Sequence, residues 1–272
     1  MRGWRWLAPA IAVLLVVTVW PIGRAVWTSL SSYSLTSPDD RAFIGVDNYT
    51  DVLTSRTWWA AIAVTLVIVV VATVVQLLLG LAFAGALRAA TALWPVTRVL
   101  VLLPFGLLAI VSAVVWRDAV TTGFAAAWFR LDAGSFGSLV GVTVGEVWRG
   151  TGIVTVILLA GLTRVPRSLL ASAVADGATG WQLLNRVVLP AMGPAIAVAA
   201  IYRALDAFRI LEGPLLVDEA GATIRTAPLL VWTTDFSAFE LGLGAAMSVV
   251  LLVVAGLLGA LFVPLLRIRR VV

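Results

Sequence analysis

Leu170-Ala-Ser-Ala-Val-Ala-Asp176-Gly177-Ala-Thr-Gly-Trp181-Gln-Leu-Leu-Asn-Arg186-Val-Val-Leu189-Pro190 is a polar, helix-forming stretch set between two long apolar runs. An ordinary connection needs only a few turn residues. Here Pro166 stands ahead, suited to a first helical turn. Leu169, Leu170, Ala173 and Val174 then recur at helical spacing and predict a short helix with one small apolar face. Asp176-Gly177 predicts a break, because glycine takes left-handed geometry at little cost. A second helix through Trp181, Leu184 and Val187 follows, and Leu189-Pro190 leads into the next apolar run. Two readings fit this pattern: an amphipathic loop resting on a membrane surface, and an element shaped to dock on a soluble partner.

The composition sets the medium. Of 272 residues, 61% are hydrophobic and 12% charged, and the mean hydropathy is +1.06. A water-soluble domain of this length has no use for so much apolar surface. Several runs are long enough, at about 1.5 Å per residue, to cross about 30 Å of hydrocarbon. Six spans are predicted, over 6–30, 58–87, 99–116, 138–162, 191–210 and 241–266. The fold class is therefore all-α integral membrane, one transmembrane domain over 1–272. Pro21 and Pro104 predict kinks. The first run lacks a small-residue cleavage site and continues into Trp20-Pro21 and Arg24, so it reads as a retained helix. Between the first two spans, 45–53 predicts one or two amphipathic turns at the interface. The chain shows no convincing internal repeat and no low-complexity tract.

Orientation follows from the arginines, which account for all 19 basic residues. With the N-terminus in the cytoplasm, that side receives Arg2, Arg5, Arg88, Arg98, Arg164, Arg167, Arg186, Arg267, Arg269 and Arg270. The opposite side receives Arg41, Arg56, Arg117, Arg130 and Arg225, with nearly all the loop acids. This bias predicts cytoplasmic N- and C-termini. The basic balance is a topology signal. A nucleic-acid partner is not expected, since no basic patch is interleaved with exposed aromatics.

Missing residue types exclude several chemistries. Cysteine and histidine are absent, so neither a thiol or Ser-His-Asp nucleophile nor a His/Cys metal centre can be assembled, and no metal is expected. Without lysine there is no phosphate-binding Gly-rich loop ending in Lys-Ser/Thr. The chain itself is expected to bind no nucleotide cofactor and to catalyse no reaction.

Charges inside the predicted spans need partners, because each costs several kcal/mol in hydrocarbon. Glu146 and Arg149 share one face of the fourth span at i, i+3, and Arg203, Asp206 and Arg209 repeat that spacing on the fifth. Counting about 1.5 Å per residue puts Arg203 roughly 20 Å beyond Pro190 and Glu146 roughly 12 Å inside its span, at similar depth. The two sets are expected to meet. Either they form a structural ion-pair network, or they line a polar cavity and bond a solute that needs both donors and acceptors. Trp116, Trp128, Trp148 and Trp232 are candidate stacking surfaces for a solute with an apolar face, with Trp148 favoured for lying between Glu146 and Arg149. Most of the 12 tryptophans are expected to form interfacial belts.

The opening stretch resembles the signature loop of ABC importer permeases: Glu-Ala-Ala, three residues, Gly, nine residues, Ile, one residue, Leu-Pro. Ala171, Ser172 and Ala173 take the first three places, Gly177 the glycine, Val187 the isoleucine, and Leu189-Pro190 the end. Asp176-Gly177-Ala178 matches the Asp-Gly-Ala common there. Ala171 departs from the usual glutamate, which leaves the strength of the ATPase contact open. Trp20-Pro-Ile-Gly-Arg24, Phe43-Ile-Gly-Val-Asp-Asn48-Tyr49, Gly161-Leu-Thr-Arg-Val-Pro166 and Leu241-Gly-Leu-Gly-Ala-Ala-Met-Ser248 are similar to the sugar branch of these permeases. Glu146-Val-Trp-Arg149 and Arg203-Ala-Leu-Asp206-Ala-Phe-Arg209-Ile are most similar to the first permeases of trehalose importers.

The resemblance implies a type I importer permease with about six transmembrane helices in a bacterial cell membrane, in contact with lipid. It implies a second homologous permease, two cytoplasmic ABC ATPases that use ATP and Mg, and an extracytoplasmic sugar-binding protein. The segment 164–190 would couple to the ATPases. The implied substrate is trehalose or a related disaccharide. Maltose-type oligosaccharides and glycerol-phosphate are the alternatives within the family; outside it stand an ion-coupled secondary transporter using Glu146 or Asp206 and a membrane scaffold or assembly factor, which fits the buried charges poorly.

Overall fold

The computed structural model describes residues 4–89, 94–121, 123, 135–219 and 224–267. Trp128, Asp132 and the arginines Arg2, Arg130, Arg269 and Arg270 lie outside the described residues. The described elements are helices apart from one two-residue strand pair. Among the described residues, four helices are long and apolar enough to cross a membrane alone. Two bent helix pairs supply a fifth and a sixth span if each pair counts as one. The residues group into two compact units, Met1–Ala63 with Thr226–Val254, and Val64–Arg225 with Ala255–Val272.

In the first unit, α1 (Trp4–Ser29) runs through Pro9 and Pro21 as one helix. Leu14, Val16, Val17 and Trp20 are all more than half exposed, a surface that suits lipid rather than water. After α1, β1 (Ser31–Ser32) pairs antiparallel with β2 (Ala42–Phe43). Gly45 turns the chain at φ +65 into α2 (Asp47–Thr54), where Asp47 lies in the first turn and favours the positive end of the helix. The predicted interfacial turns are this helix. Buried Asn48 donates to the carbonyls of Ser29 and Ser31 at 2.8 and 3.1 Å, tying α2 to the end of α1. The unit also holds the start of α3 (Arg56–Ala89), α11 (Ala227–Phe236), capped by the Thr226 hydroxyl, and most of α12 (Leu241–Arg267).

The second unit holds the remainder of α3, then α4 (Trp94–Gly106), α5 (Ala109–Thr121), α6 (Ser135–Thr163), α7 (Arg167–Ala175), α8 (Gly180–Ala191), α9 (Gly193–Phe208) and α10 (Glu212–Glu219). The third predicted span is not a single rod: the chain bends by 97° between Gly106 and Ala109. Pro104 lies inside the first of the two helices, and the break follows Gly106, a residue that extends a helix poorly. The fifth span likewise starts with a 71° bend at Met192. Helices here approach through small residues, as expected where no water drives association. A Cβ on Gly80 would lie 2.7 Å from Val154, and one on Gly152 would lie 2.5 Å from the carbonyl of Val101. Ala84, Val154, Leu158, Leu162, Met192 and Ala199 form the buried core between α3, α6, α8 and α9.

Candidate functional site

The charges predicted to meet do meet. Glu146 and Arg149 project from α6 and Arg203 and Asp206 from α9, and Arg203 bridges the helices. Its Nη2 lies 2.5 Å from Glu146 Oε1 and its Nη1 2.5 Å from Asp206 Oδ2. Arg149 Nη2 lies 3.0 Å from Glu146 Oε1 and 3.4 Å from Asp206 Oδ2. Two guanidinium groups and two carboxylates thus form a closed quartet with no net charge. Burial divides it into a back and a front. The Arg203 side chain is 0% exposed and Glu146 6%, whereas Arg149 and Asp206 are each 19% exposed. Arg209 reaches Asp206 at 3.4 Å, the same distance as Arg149, but it is 77% exposed and borders the buried cluster from the solvent side.

Gln76 on α3 was not singled out from the sequence. It is wholly buried and touches two members of the quartet, accepting from Arg203 Nε at 2.6 Å and donating to the backbone carbonyl of Glu146 at 2.7 Å. Its signal was present as a side-chain amide inside a long apolar helix.

A cavity of about 30 Å³ opens beside the quartet, between α5, α6 and α10, with Trp116, Ser138, Glu146, Arg149 and Glu212 in its wall. That volume holds one or two waters, against the roughly 300 Å³ of a small-molecule site. The Ser138 hydroxyl is buried there without a protein partner. Trp148 does not line this cavity. It sits about 200° around α6 from Glu146 and packs edge-on against Trp116, ring centroids 6.2 Å apart. Trp232 belongs to the other unit and packs on Phe236.

The segment between α6 and α9 is built to stand by itself. Pro166 is the extended residue before α7. At its end Ala178 N donates to Ala173 O and Gly177 N to Val174 O, both at 3.0 Å, with Gly177 at φ +81. This paired closure satisfies the last carbonyls and requires a left-handed residue. Immediately afterwards Thr179 and Gln182 cap α8 reciprocally: Thr179 N donates to Gln182 Oε1 at 2.9 Å, and Gln182 N to Thr179 Oγ1 at 3.4 Å. The π-helical stretch Leu183–Val188 precedes Leu189 and Pro190, a widening that suits a proline with no N–H to give.

Leu170, Leu183 and Leu184 anchor the segment on the core. On the outer side Ala171, Ser172 and Asp176 are exposed, while Ala173, Ala178, Leu189 and Pro190 are half-buried. Leu169, Val174 and Trp181 are 43, 59 and 70% exposed. The segment is a preformed turn with an outward apolar surface, which fits a membrane surface or a partner protein.

No model of a protein family matches the chain. It is 37% identical over 265 residues to the trehalose transport system permease protein SugA of Mycobacterium tuberculosis, covering 95% of this chain and 86% of that one. It is 33% identical over 256 residues to the probable ABC transporter permease protein y4oQ of Sinorhizobium fredii, covering 88% and 82%. Against the trehalose/maltose transport system permease protein MalF of Thermococcus litoralis the identity is 27% over 282 residues, covering 98% and 94%. Among solved structures, a bacterial ABC transporter involved in import of the acidic polysaccharide alginate superposes with a TM-score of 0.75 at 18% identity. That match covers 97% of this chain and 94% of the other and carries the fold alone. With the signature-loop geometry, the apolar spans and these relatives in hand, the chain belongs to the permease subunits of sugar ABC importers.

Proposed function

We propose that this permease passes trehalose, or a related neutral disaccharide, across a bacterial cell membrane, with both chain ends in the cytoplasm. The quartet of Glu146, Arg149, Arg203 and Asp206 is the observation that carries the substrate class. Its charges cancel internally, and its front edge offers the heads of Arg149 and Asp206, both donor and acceptor, to a ligand. Sugar hydroxyls need that mixture. A phosphorylated ligand needs uncompensated positive charge, so the quartet disfavours glycerol-phosphate. An ion-coupled carrier needs a carboxylate free to exchange a proton. Glu146 is held by two arginines and Asp206 by three, which disfavours that reading. The similarity to a trehalose permease supports the choice among sugars.

In this reading the chain pairs with a second homologous permease, and the sugar path forms where the two meet. The water-sized cavity beside the quartet accords with that, since a disaccharide does not fit it. Two cytoplasmic ATPases dock on the segment around Ala171, Ser172, Asp176 and Gly177, and an extracytoplasmic binding protein delivers sugar. ATP and Mg are used by those partners. Closure of the ATPases moves α7 and α8, which lie directly ahead of the helix carrying Arg203 and Asp206, and alternates the exposure of the path.

The test is reconstitution of the permease with its co-expressed partners in vesicles, followed by uptake of a panel of trehalose, maltose, maltotriose and glycerol-phosphate. ATP-dependent uptake of trehalose ahead of the others is expected. Uptake without any co-purified ATPase, or preference for the phosphorylated ligand, rejects the proposal.

A further inference from the structure

Gln76 stands in the apolar run Val74-Val-Gln-Leu-Leu-Leu79 of α3. A buried primary amide costs several kcal/mol unless its polar atoms are matched. Both sides of this one are used. Oε1 accepts from Arg203 Nε, and Nε2 donates to the Glu146 carbonyl, with a longer approach to Val147 O at 3.4 Å. The space comes from Gly150. A Cβ there would lie 2.7 Å from Arg203 Cζ and closer still to the Gln76 amide nitrogen.

A guanidinium is flat and its donors are fixed in one plane. Arg203 uses all three nitrogens: Nη1 on Asp206, Nη2 on Glu146, and Nε on Gln76. The anchored Nε edge sets the plane and the azimuth of the group. With α3 holding that edge, both Nη groups are turned to the carboxylates. Without it, the guanidinium retains a buried donor with nothing to bond, and only the two carboxylates hold its plane.

We propose that Gln76 is a positioning residue for transport: it aims Arg203, and through Arg203 keeps Asp206 and Arg149 in the arrangement presented to the passing sugar, with Gly150 as the notch that admits it. This rests on the reading that the quartet faces the sugar's path. Gln76 touches no substrate. Its effect runs through Arg203, so its loss degrades how much sugar moves for each ATP rather than whether the ATPases are engaged.

The experiment uses the assembled transporter in vesicles with its binding protein, and reads sugar moved per ATP hydrolysed at matched amounts of complex. Gln76→Met keeps length and burial and removes both polar partners. It is expected to lower sugar per ATP about tenfold, the size of one lost buried hydrogen bond to a charged group, with binding-protein-stimulated ATP hydrolysis retained. Gln76→Glu keeps the acceptor for Arg203 Nε but loses the donor to the Glu146 carbonyl, and its ratio is expected to fall between those of the parent and Gln76→Met. Gly150→Ala, which pushes on the same pair from α6, is expected to reproduce the Gln76→Met signature and serves if that variant does not assemble. A parent-like ratio in Gln76→Met and Gly150→Ala overturns the proposal, as does a parallel fall of ATP hydrolysis and uptake in all three variants. A parent transporter that hydrolyses ATP yet moves no sugar overturns the sugar reading instead, whatever the variants do.

Discussion

Arg203 on α9 holds Glu146 on α6 at 2.5 Å across 57 residues of sequence, with none of its side chain open to solvent. Removing one member of such a pair leaves a buried charge short of its partner, whereas removing both does not. Glu146→Gln and Arg203→Gln are each expected to destabilise the solubilised permease by about 3 kcal/mol. The double variant should lose less than the sum of the two, because Arg149 and Asp206 remain paired. Thermal unfolding of all four proteins is the measurement, and additive losses argue against a coupled pair.

Asp206 and Arg149 are the half-open members of the quartet. Asp206→Asn and Arg149→Gln each remove a charge from the face proposed for sugar, with less cost to folding than changes at Arg203. Uptake is expected to fall at least about tenfold in each, equivalent to about 1.4 kcal/mol of lost interaction. Normal uptake in both variants removes the sugar-contact role.

Gly177 carries φ +81 with open space where a Cβ would go. A side chain there meets no clash, so a substitution acts through the backbone alone. Gly177→Val forces a β-branched residue into the left-handed region at a cost of about 1–2 kcal/mol. The turn between α7 and α8 is expected to open and ATP-driven uptake to collapse. Membrane insertion should stay at parent levels, checked by the amount of protein recovered from washed membranes.

Trp181 is 70% exposed on the first turn of α8, and Val174 59% exposed on α7. Trp181→Ala and Val174→Asp are expected to release the ATPase from the purified complex while the permease remains inserted. Co-purification on a tagged permease reads this directly. Undiminished ATPase recovery in both would place the docking surface elsewhere.

Asp235 lies on α11 with Oδ1 buried and unbonded. The first turn of α12 presses on it, so that a Cβ on Gly244 would come 2.6 Å from its Cγ. Desolvation pushes its pKa from 3.8 up to about 6. The folded state therefore binds this proton more tightly than the unfolded chain does. The stabilisation is fully present below about pH 4 and is lost as pH rises through 6. Asp235→Asn is expected to raise stability at pH 7, by no more than about 1 kcal/mol given partial access to water, and to flatten the slope between pH 4 and 7. Melting curves of both proteins over that range decide it; an unchanged slope rejects the assignment.

What was legible in the sequence was whatever periodicity or spacing could encode. The helix–glycine–helix at Arg167 to Pro190 was readable because amphipathic spacing, Gly177 and Pro190 are local signals. So was the meeting of Glu146 and Arg149 with Arg203 and Asp206, since intramembrane charges have few places to go. Arg209 carried the same i, i+3 spacing yet stands at the open end of α9, where one residue past the last turn decides exposure. Trp148 illustrates the opposite limit. Adjacency in sequence to Glu146 and Arg149 put it near the quartet, but two residues along a helix point to nearly opposite sides. Pro104 predicted a kink in this span, but the 97° bend lies past it, between Gly106 and Ala109. Gln76 required knowing that α3 passes behind Arg203, and no local pattern contains that.

Arg203 has no water to fall back on. Any stroke that drew α6 and α9 apart would have to strand a cation in a dry seam, so the pair behaves as one welded strut. The two helices are therefore expected to travel together during transport.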